Sequence, residues 1–98
     1  MQVKTLGTIN ANGDNDFEIA INGYHHHPEA VVQVNITGTI TIQVLGSLDG
    51  TAFVEMIAAT TSDILQPIAL VPFLRFTASS TSGGSAVAKV MTGAGPRY

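Results

Sequence analysis

Apolar and polar residues alternate through the middle of the chain. Over residues 30–46, nearly every even position carries an apolar residue, and Thr, Gln or Asn fills most of the odd positions. Successive side chains of a strand point to opposite faces, so this pattern predicts β-strands with one buried face. The predicted inward-facing residues are Val32, Val34, Ile36, Ile40, Ile42 and Val44.

Clusters of turn-forming residues divide the chain into about eight short strands, and no segment shows the 3.6-residue period of a helix. Turns are expected at 10–16, Thr37-Gly38, Asp49-Gly50 and 80–84, and Pro67 is expected to place its strand at a sheet edge. The predicted strands cover residues 2–9, 17–21, 30–37, 39–46, 52–58, 64–71, 73–79 and 85–92.

Strands of this length and spacing predict an all-β fold, namely a single antiparallel β-sandwich with Greek-key or jelly-roll connectivity and no substantial helix. We assign residues 1–92 to this β-sandwich domain and expect residues 93–98 to form a flexible C-terminal tail. A chain of 98 residues fits one such domain with one core. The chain has no cysteine, so packing has to stabilise the core without disulfides.

The charge of the chain is low and slightly negative, with 11% charged residues and a net charge of −3. The basic residues are Lys4, Arg75, Lys89 and Arg97, too few for the basic stripe that nucleic-acid binding requires. No apolar run reaches the ~20 residues that span a bilayer. The first residues also lack the apolar stretch of a signal peptide, so we expect the chain to start in the cytoplasm of the cell that makes it.

The low charge also bears on association. A solitary monomer usually carries more surface charge, so this composition is typical of a protein that docks against copies of itself or a larger assembly. Outer faces lined by Thr and Ser would explain the same composition, and the sequence leaves both explanations open. If copies associate, we expect a symmetric homo-oligomer, a trimer or a dimer.

The segment Tyr24-His25-His26-His27-Pro28-Glu29 is the one motif with conspicuous chemistry. His25, His27 and Glu29 form a weak candidate metal site, because adjacent residues of an extended chain point to opposite sides and only His25 and His27 share a face. The chain has no further histidine to complete a tetrahedral site. We therefore interpret the segment as a solvated or interface loop and predict no metal or other cofactor.

The spacing of Asp14, Asp16 and Glu18 is similar to the start of a calcium-binding loop. An EF-hand needs Gly at its sixth position and Glu at its twelfth, where a count from Asp14 finds Ile19 and His25. We interpret this stretch, rich in Asn and Asp, as a turn. Serines lie in Gly-rich turns away from the histidines, so no Ser-His-acid set is predicted. We expect no catalytic residues and no enzyme activity.

Sugar binding is an alternative function, because β-sandwiches bind sugars through exposed aromatic side chains and polar partners. The chain contains no Trp, and its four Phe residues fall on strand positions that predict core packing. Tyr24 and Tyr98 remain as a small stacking platform.

The hairpin sequence 44–54, Val-Leu-Gly-Ser-Leu-Asp-Gly-Thr-Ala-Phe-Val, resembles the "Gly-Ser-x-Asp-Gly-Thr-x-Trp" hairpin of small β-sandwich virion proteins of tailed bacteriophages. A related hairpin occurs in discoidin-like carbohydrate-binding jelly rolls. Residues 72–77 and 82–85 are similar to a second hallmark of the phage family, a Phe-x-Arg-Phe-type strand that leads through a Ser-Gly turn into a final strand. One departure is Phe53, which stands where Trp is usual.

The resemblance, which spans about residues 30–92, implies a bacteriophage virion structural protein, with a capsid decoration (cement) protein as the preferred member of the class. Its expected partners are the major capsid protein or other virion subunits, and its expected location is the virion. A phage neck or tail component and a glycan-binding module are the alternatives. We expect the contacts to come from loops 10–16 and 22–29 and from the tail. The candidate interface residues are Asn12, Asp14, Tyr24, His25, His26, His27, Arg97 and Tyr98.

Overall fold

The computed structural model of the chain describes residues 2–19 and 29–92. Six antiparallel strands make up this part of the chain, and it contains no helix, hence none long and apolar enough to cross a membrane. The strands are β1 (Gln2–Ile9), β2 (Gly13–Glu18), β3 (Glu29–Ser47), β4 (Val54–Thr60), β5 (Ile64–Ala69) and β6 (Phe73–Thr92).

Two long strands, β3 and β6, form the centre of the sheet and pair antiparallel along almost their whole length, from Ala30↔Thr92 to Ser47↔Phe73. Each also pairs with two short strands on its other side. β6 pairs with β2 through its first part and with β1 through its last part. β3 pairs with β5 through its first part and with β4 through its last part.

Both long strands bend where glycines face each other. Gly38 in β3 has a φ of 77° and Gly83 in β6 has a φ of 70°, a left-handed conformation that side chains disfavour. The backbones are also unusually close there. A Cβ on Gly38 would lie 2.9 Å from the Gly84 Cα atom, and a Cβ on Gly84 would overlap the backbone of Thr39. Glycine is therefore required for the bend.

The register between the long strands changes at the same place. From Thr39↔Gly83 to Thr41↔Ser79, β3 advances by two residues while β6 covers four. The two extra residues of β6 form a bulge, and bulges bend a strand locally. Because the shift is an even number, even-numbered residues face inward on both sides of the bend.

The bend folds the sheet over onto itself. Phe17 pairs with Leu74 and Gly7 pairs with Ala88, positions that a straight β6 would separate by about 46 Å. A Cβ on Gly7 would nevertheless lie 3.8 Å from the ring of Phe17. The two parts of the sheet therefore pack face to face.

We name the two layers by their first strands. The β1 layer contains β1, residues 85–92 of β6, residues 29–37 of β3, and β5. The β2 layer contains β2, residues 73–79 of β6, residues 39–47 of β3, and β4. When the eight segments are numbered along the chain, the layers have the orders 1-8-3-6 and 2-7-4-5, the arrangement of a jelly roll.

The inward faces of the layers form one core. Phe76 is fully buried at its centre and meets Phe17 edge to face, with 5.7 Å between ring centroids. Such aromatic pairs add stability beyond the area that they bury. The buried hydrophobic residues of the long strands are Ala30, Val32, Val34, Ile40, Ile42, Val44, Leu74, Phe76, Ala78, Ala86, Ala88 and Val90.

The predicted all-β antiparallel fold is confirmed, and the predicted edge position of the Pro67 strand is correct. The number of about eight strands is wrong, because Thr37-Gly38 and 80–84 are bends within continuous strands. The turn predicted over 10–16 is also too long. β2 already begins at Gly13. Within it, Asp14 and Asp16 accept hydrogen bonds from the side chains of Thr77 and Arg75 on β6. The flexible tail predicted for residues 93–98 lies outside the described residues.

Replacement of Gly84 by Ala is expected to destabilise the fold more than replacement of Gly83. The Gly84→Ala side chain meets the backbone of Thr39, which cannot move aside, so we expect a loss of about 3 kcal/mol in the free energy of unfolding. In Gly83→Ala the added methyl group would meet no neighbouring atom. The expected loss in the free energy of unfolding is therefore only the strain of the left-handed backbone, about 1–2 kcal/mol. Urea unfolding followed by circular dichroism measures both. Equal losses would contradict the close backbone approach.

Candidate functional site

The turn between β3 and β4, residues 47–53, is fixed by two short side chains. Ser47 is buried, and its Oγ accepts hydrogen bonds from the backbone N–H groups of Asp49 (3.2 Å) and Gly50 (2.9 Å). The Ser47 hydroxyl donates to Asp49 Oδ1 at 2.9 Å, and the same oxygen accepts from the N–H groups of Thr51 and Ala52. Gly50 has a φ of 79°, as the predicted Asp-Gly turn requires. This part of the hairpin prediction is confirmed.

The same hydrogen bonds act on the ionisation of Asp49. The N–H groups of Thr51 and Ala52, and then the Ser47 hydroxyl, lower the pKa of the Asp49 carboxyl below its ordinary value of 3.8. At neutral pH the carboxylate is ionised and holds the turn closed.

An apolar groove of about 360 Å³ lies beside this turn. The side chains of Met56 and Val71 close over Gly46, where a Cβ would collide with Met56 and lie 3.0 Å from Val71. Gly46 therefore lets them form the floor of the groove. Leu48 and Val54 stand at its margin and are 78% and 70% exposed. Ser47, Asp49 and Ala52 complete the lining.

The outer face of the β2 layer is acidic, and we call it the acidic face. The Arg75 guanidinium lies between two carboxylates: it donates to Asp16 at 2.7 and 3.1 Å and approaches Asp14 at 3.8 Å. Asp14 also accepts from the Thr77 hydroxyl at 2.8 Å. The hydrogen bond from Arg75 lowers the pKa of Asp16, and the same bond raises the pKa of Arg75. The cluster ties edge strand β2 to β6.

Arg75 also connects this cluster to the hairpin. Its Cζ atom lies 3.9 Å from the centroid of the Phe53 ring, a cation–π contact. Phe53 therefore has one ring face covered by a side chain of its own fold. Among the other Phe residues, Phe17 and Phe76 pack together, and the Phe73 ring lies against Gly50. Each of these four rings therefore contacts another part of the fold on at least one side.

The outer face of the β1 layer carries a row of apolar side chains, and we call it the apolar face. Val3 pairs with Met91, Met91 with Val31, and Val31 with Pro67, which gives an apolar row across all four strands. The next row contains Leu65. Val3 is 67% exposed and Leu65 is 74% exposed. In that second row Lys89 is paired with Thr5 and Gln33.

The structure gives intramolecular partners to two of the predicted interface residues. Asn12 Oδ1 accepts from the Thr81 N–H at 3.0 Å and so supports the β6 bulge, while Asp14 belongs to the Arg75 cluster. Both are exposed. The other six predicted interface residues (Tyr24, His25, His26, His27, Arg97 and Tyr98) lie outside the described residues.

The weak metal candidate of His25, His27 and Glu29 cannot be placed, because the two histidines lie outside the described residues. Within residues 2–19 and 29–92, no group of three or more His, Cys, Asp or Glu side chains is arranged to hold a metal ion. Asp14 and Asp16 lie on strand β2 and do not form the predicted turn, whereas Glu18 lies on a strand, as predicted.

Sequence reasoning did not identify the groove, the Arg75 cluster or the apolar face. For the apolar face, the sequence does contain a signal in the alternation of apolar and polar positions. Val31, Leu65, Val87 and Met91 are apolar residues at odd positions, which the pattern assigns to the outer face. The Arg75 cluster had no such signal, because it depends on pairing between β2 and β6, which are distant in sequence.

Comparisons of the chain with protein-family models, with curated proteins and with solved structures find no match.

The stability of the hairpin turn is expected to depend on pH through Asp49. Because its folded pKa is lowered, its ionised form stabilises the protein above the unfolded pKa, and this contribution disappears as the pH falls through the folded pKa. Asp49→Asn keeps an oxygen acceptor but removes the charge. Urea unfolding should therefore find wild type more stable than Asp49→Asn at about pH 7, with the difference shrinking near about pH 2.

Asp49→Ala provides the matched control. It removes the acceptor as well as the charge, so it is expected to remain less stable than wild type at both pH values. A difference between wild type and Asp49→Asn that does not change with pH would contradict the role assigned to the charge.

Proposed function

We propose that this chain is a structural protein of a tailed-bacteriophage virion, a capsid decoration (cement) protein that docks on the assembled shell and stabilises it. The observation that carries the proposal is the hairpin around residues 46–53. Its sequence resembles that of the phage virion family, its turn is held by Ser47 and Asp49, and it borders an apolar groove.

Two further observations support a binding role. The chain has few charges, and apolar side chains are exposed in the groove and on the apolar face. Exposed apolar patches of this kind mark interaction sites in soluble proteins. Jelly rolls are also common in viral capsid domains and in lectins, an analogy at the level of the fold that agrees with the proposal.

The proposed mechanism is stabilisation by mass action. A protein that binds the assembled lattice but not its separated subunits stabilises the lattice by its binding free energy. The partners would be the major capsid protein or other virion subunits, with the chain made in the host cytoplasm and located in the virion. Self-association as a homo-oligomer would give each docking unit several contacts with the shell.

Quantitative mass spectrometry of purified particles is the first test. It uses particles of the phage whose genome encodes the chain and compares copy numbers of this chain and the major capsid protein. A copy number comparable to that of the major capsid protein supports decoration. A few copies per particle would assign the chain to the neck or tail, and its absence from particles would contradict a virion role.

Addition of the purified protein to particles that lack it is expected to raise the temperature at which the shell opens. At a free concentration of roughly 100 times the Kd, binding contributes about 2.7 kcal/mol per site. DNA release detected with a fluorescent dye measures the opening temperature, and an unrelated protein at equal concentration is the control. No difference between the two additions would contradict the mechanism.

A further inference from the structure

The large apolar side chains most exposed among the described residues fall into two patches. Leu48 and Val54 belong to the groove beside the hairpin, and Val3 and Leu65 belong to the apolar face. The first patch is concave and lies at the hairpin end of the β2 layer. The second is the outer surface of the β1 layer, from which two side chains project. Both patches leave apolar surface in water that a partner would bury.

The sheet edges are poor sites for association. β5 carries Pro67, which has no N–H to donate, and β1 has an irregular register between Thr5 and Gly7. β4 has two register shifts against β3, and β2 presents Asp14 and Asp16. Proline, irregular pairing and charged side chains each discourage edge-to-edge pairing. An interface of this protein is therefore expected to use its faces and its groove.

The two patches complement each other in shape and charge. The groove has room for projecting apolar side chains, and Asp49, ionised at neutral pH, forms part of its wall. Lys89 is the charged residue of the two apolar-face rows. A contact between the patches would pair a concave acidic site with a projecting basic one.

We propose that the hairpin groove of one copy binds the apolar face of a second copy of this chain. The inference deepens the proposed function, because it names the surfaces of the self-association that the function includes. The two contacting patches differ, so the interface is heterologous, and successive copies close into a ring when the rotation between neighbours divides a full turn.

The alternative contact between two identical patches fits less well. Two grooves facing each other would leave both concave sites unfilled. Two apolar faces in contact would bring the Lys89 side chains of both copies into one interface, where like charges repel. The heterologous contact places Lys89 towards the acidic wall of the groove.

The test is a complementation experiment with two exposed leucines. Leu65→Asp disables the apolar face and leaves the groove, and Leu48→Asp disables the groove and leaves the apolar face. Size-exclusion chromatography with light scattering should find the wild type oligomeric and each variant monomeric. An equal mixture of the two variants should form a one-to-one heterodimer, because one functional groove and one functional face remain. Native mass spectrometry of isotope-labelled variants identifies the heterodimer.

Thr61→Asp is the matched control, since it adds one Asp at an exposed position outside both patches and should leave the oligomer intact. Circular dichroism checks that all three variants fold. A monomeric wild type, an oligomer that survives Leu48→Asp or Leu65→Asp, or a mixture that stays monomeric would each overturn the proposal. The experiment uses purified protein alone, so its failure is distinguishable from absence of the chain from virions.

Discussion

The fold depends on the close approach of two backbones at Gly38 and Gly84. There the two long strands bend together, and no room remains for a Cβ between them. This contact converts one continuous antiparallel sheet into two layers whose inward faces cover each other. The described residues contain neither a helix nor a separate second sheet that could cover the apolar face of a flat sheet. Folding the sheet over is how its apolar face becomes a core.

The sequence predicted much of the core but less of the connectivity. Of the six residues that alternation identified as inward-facing, five are fully buried (Val32, Val34, Ile40, Ile42 and Val44) and Ile36 is partly buried. Alternation reports the face of a strand and does not report its partner. A bend within a strand and a hairpin turn look alike in the sequence. Both contain Gly and Ser, because both need unusual backbone angles. Only pairing with β6, about 45 residues further along the chain, distinguishes a bend at Gly38 from a turn.

The same limit applies to the candidate site. The Asp49-Gly50 turn was predictable, because its hydrogen bonds join residues only two or three positions apart. The Arg75 cluster was not, because it joins side chains that are 59 residues apart in sequence. A dense run of Asn and Asp was interpreted as a turn, although its acidic side chains have partners on the neighbouring strand. The side-chain hydrogen bonds could be predicted only where the bonded residues are close in sequence.

The even number of extra residues in β6 bears on how the length of this protein can vary. A single insertion or deletion at the bulge would exchange the two faces of the strand that follows, exposing Ala86, Ala88 and Val90 and burying Lys89. A change of two residues keeps each side chain on its own face. Relatives of this chain that share its core should therefore differ in length at the bend by pairs of residues, and odd differences should be confined to the loops.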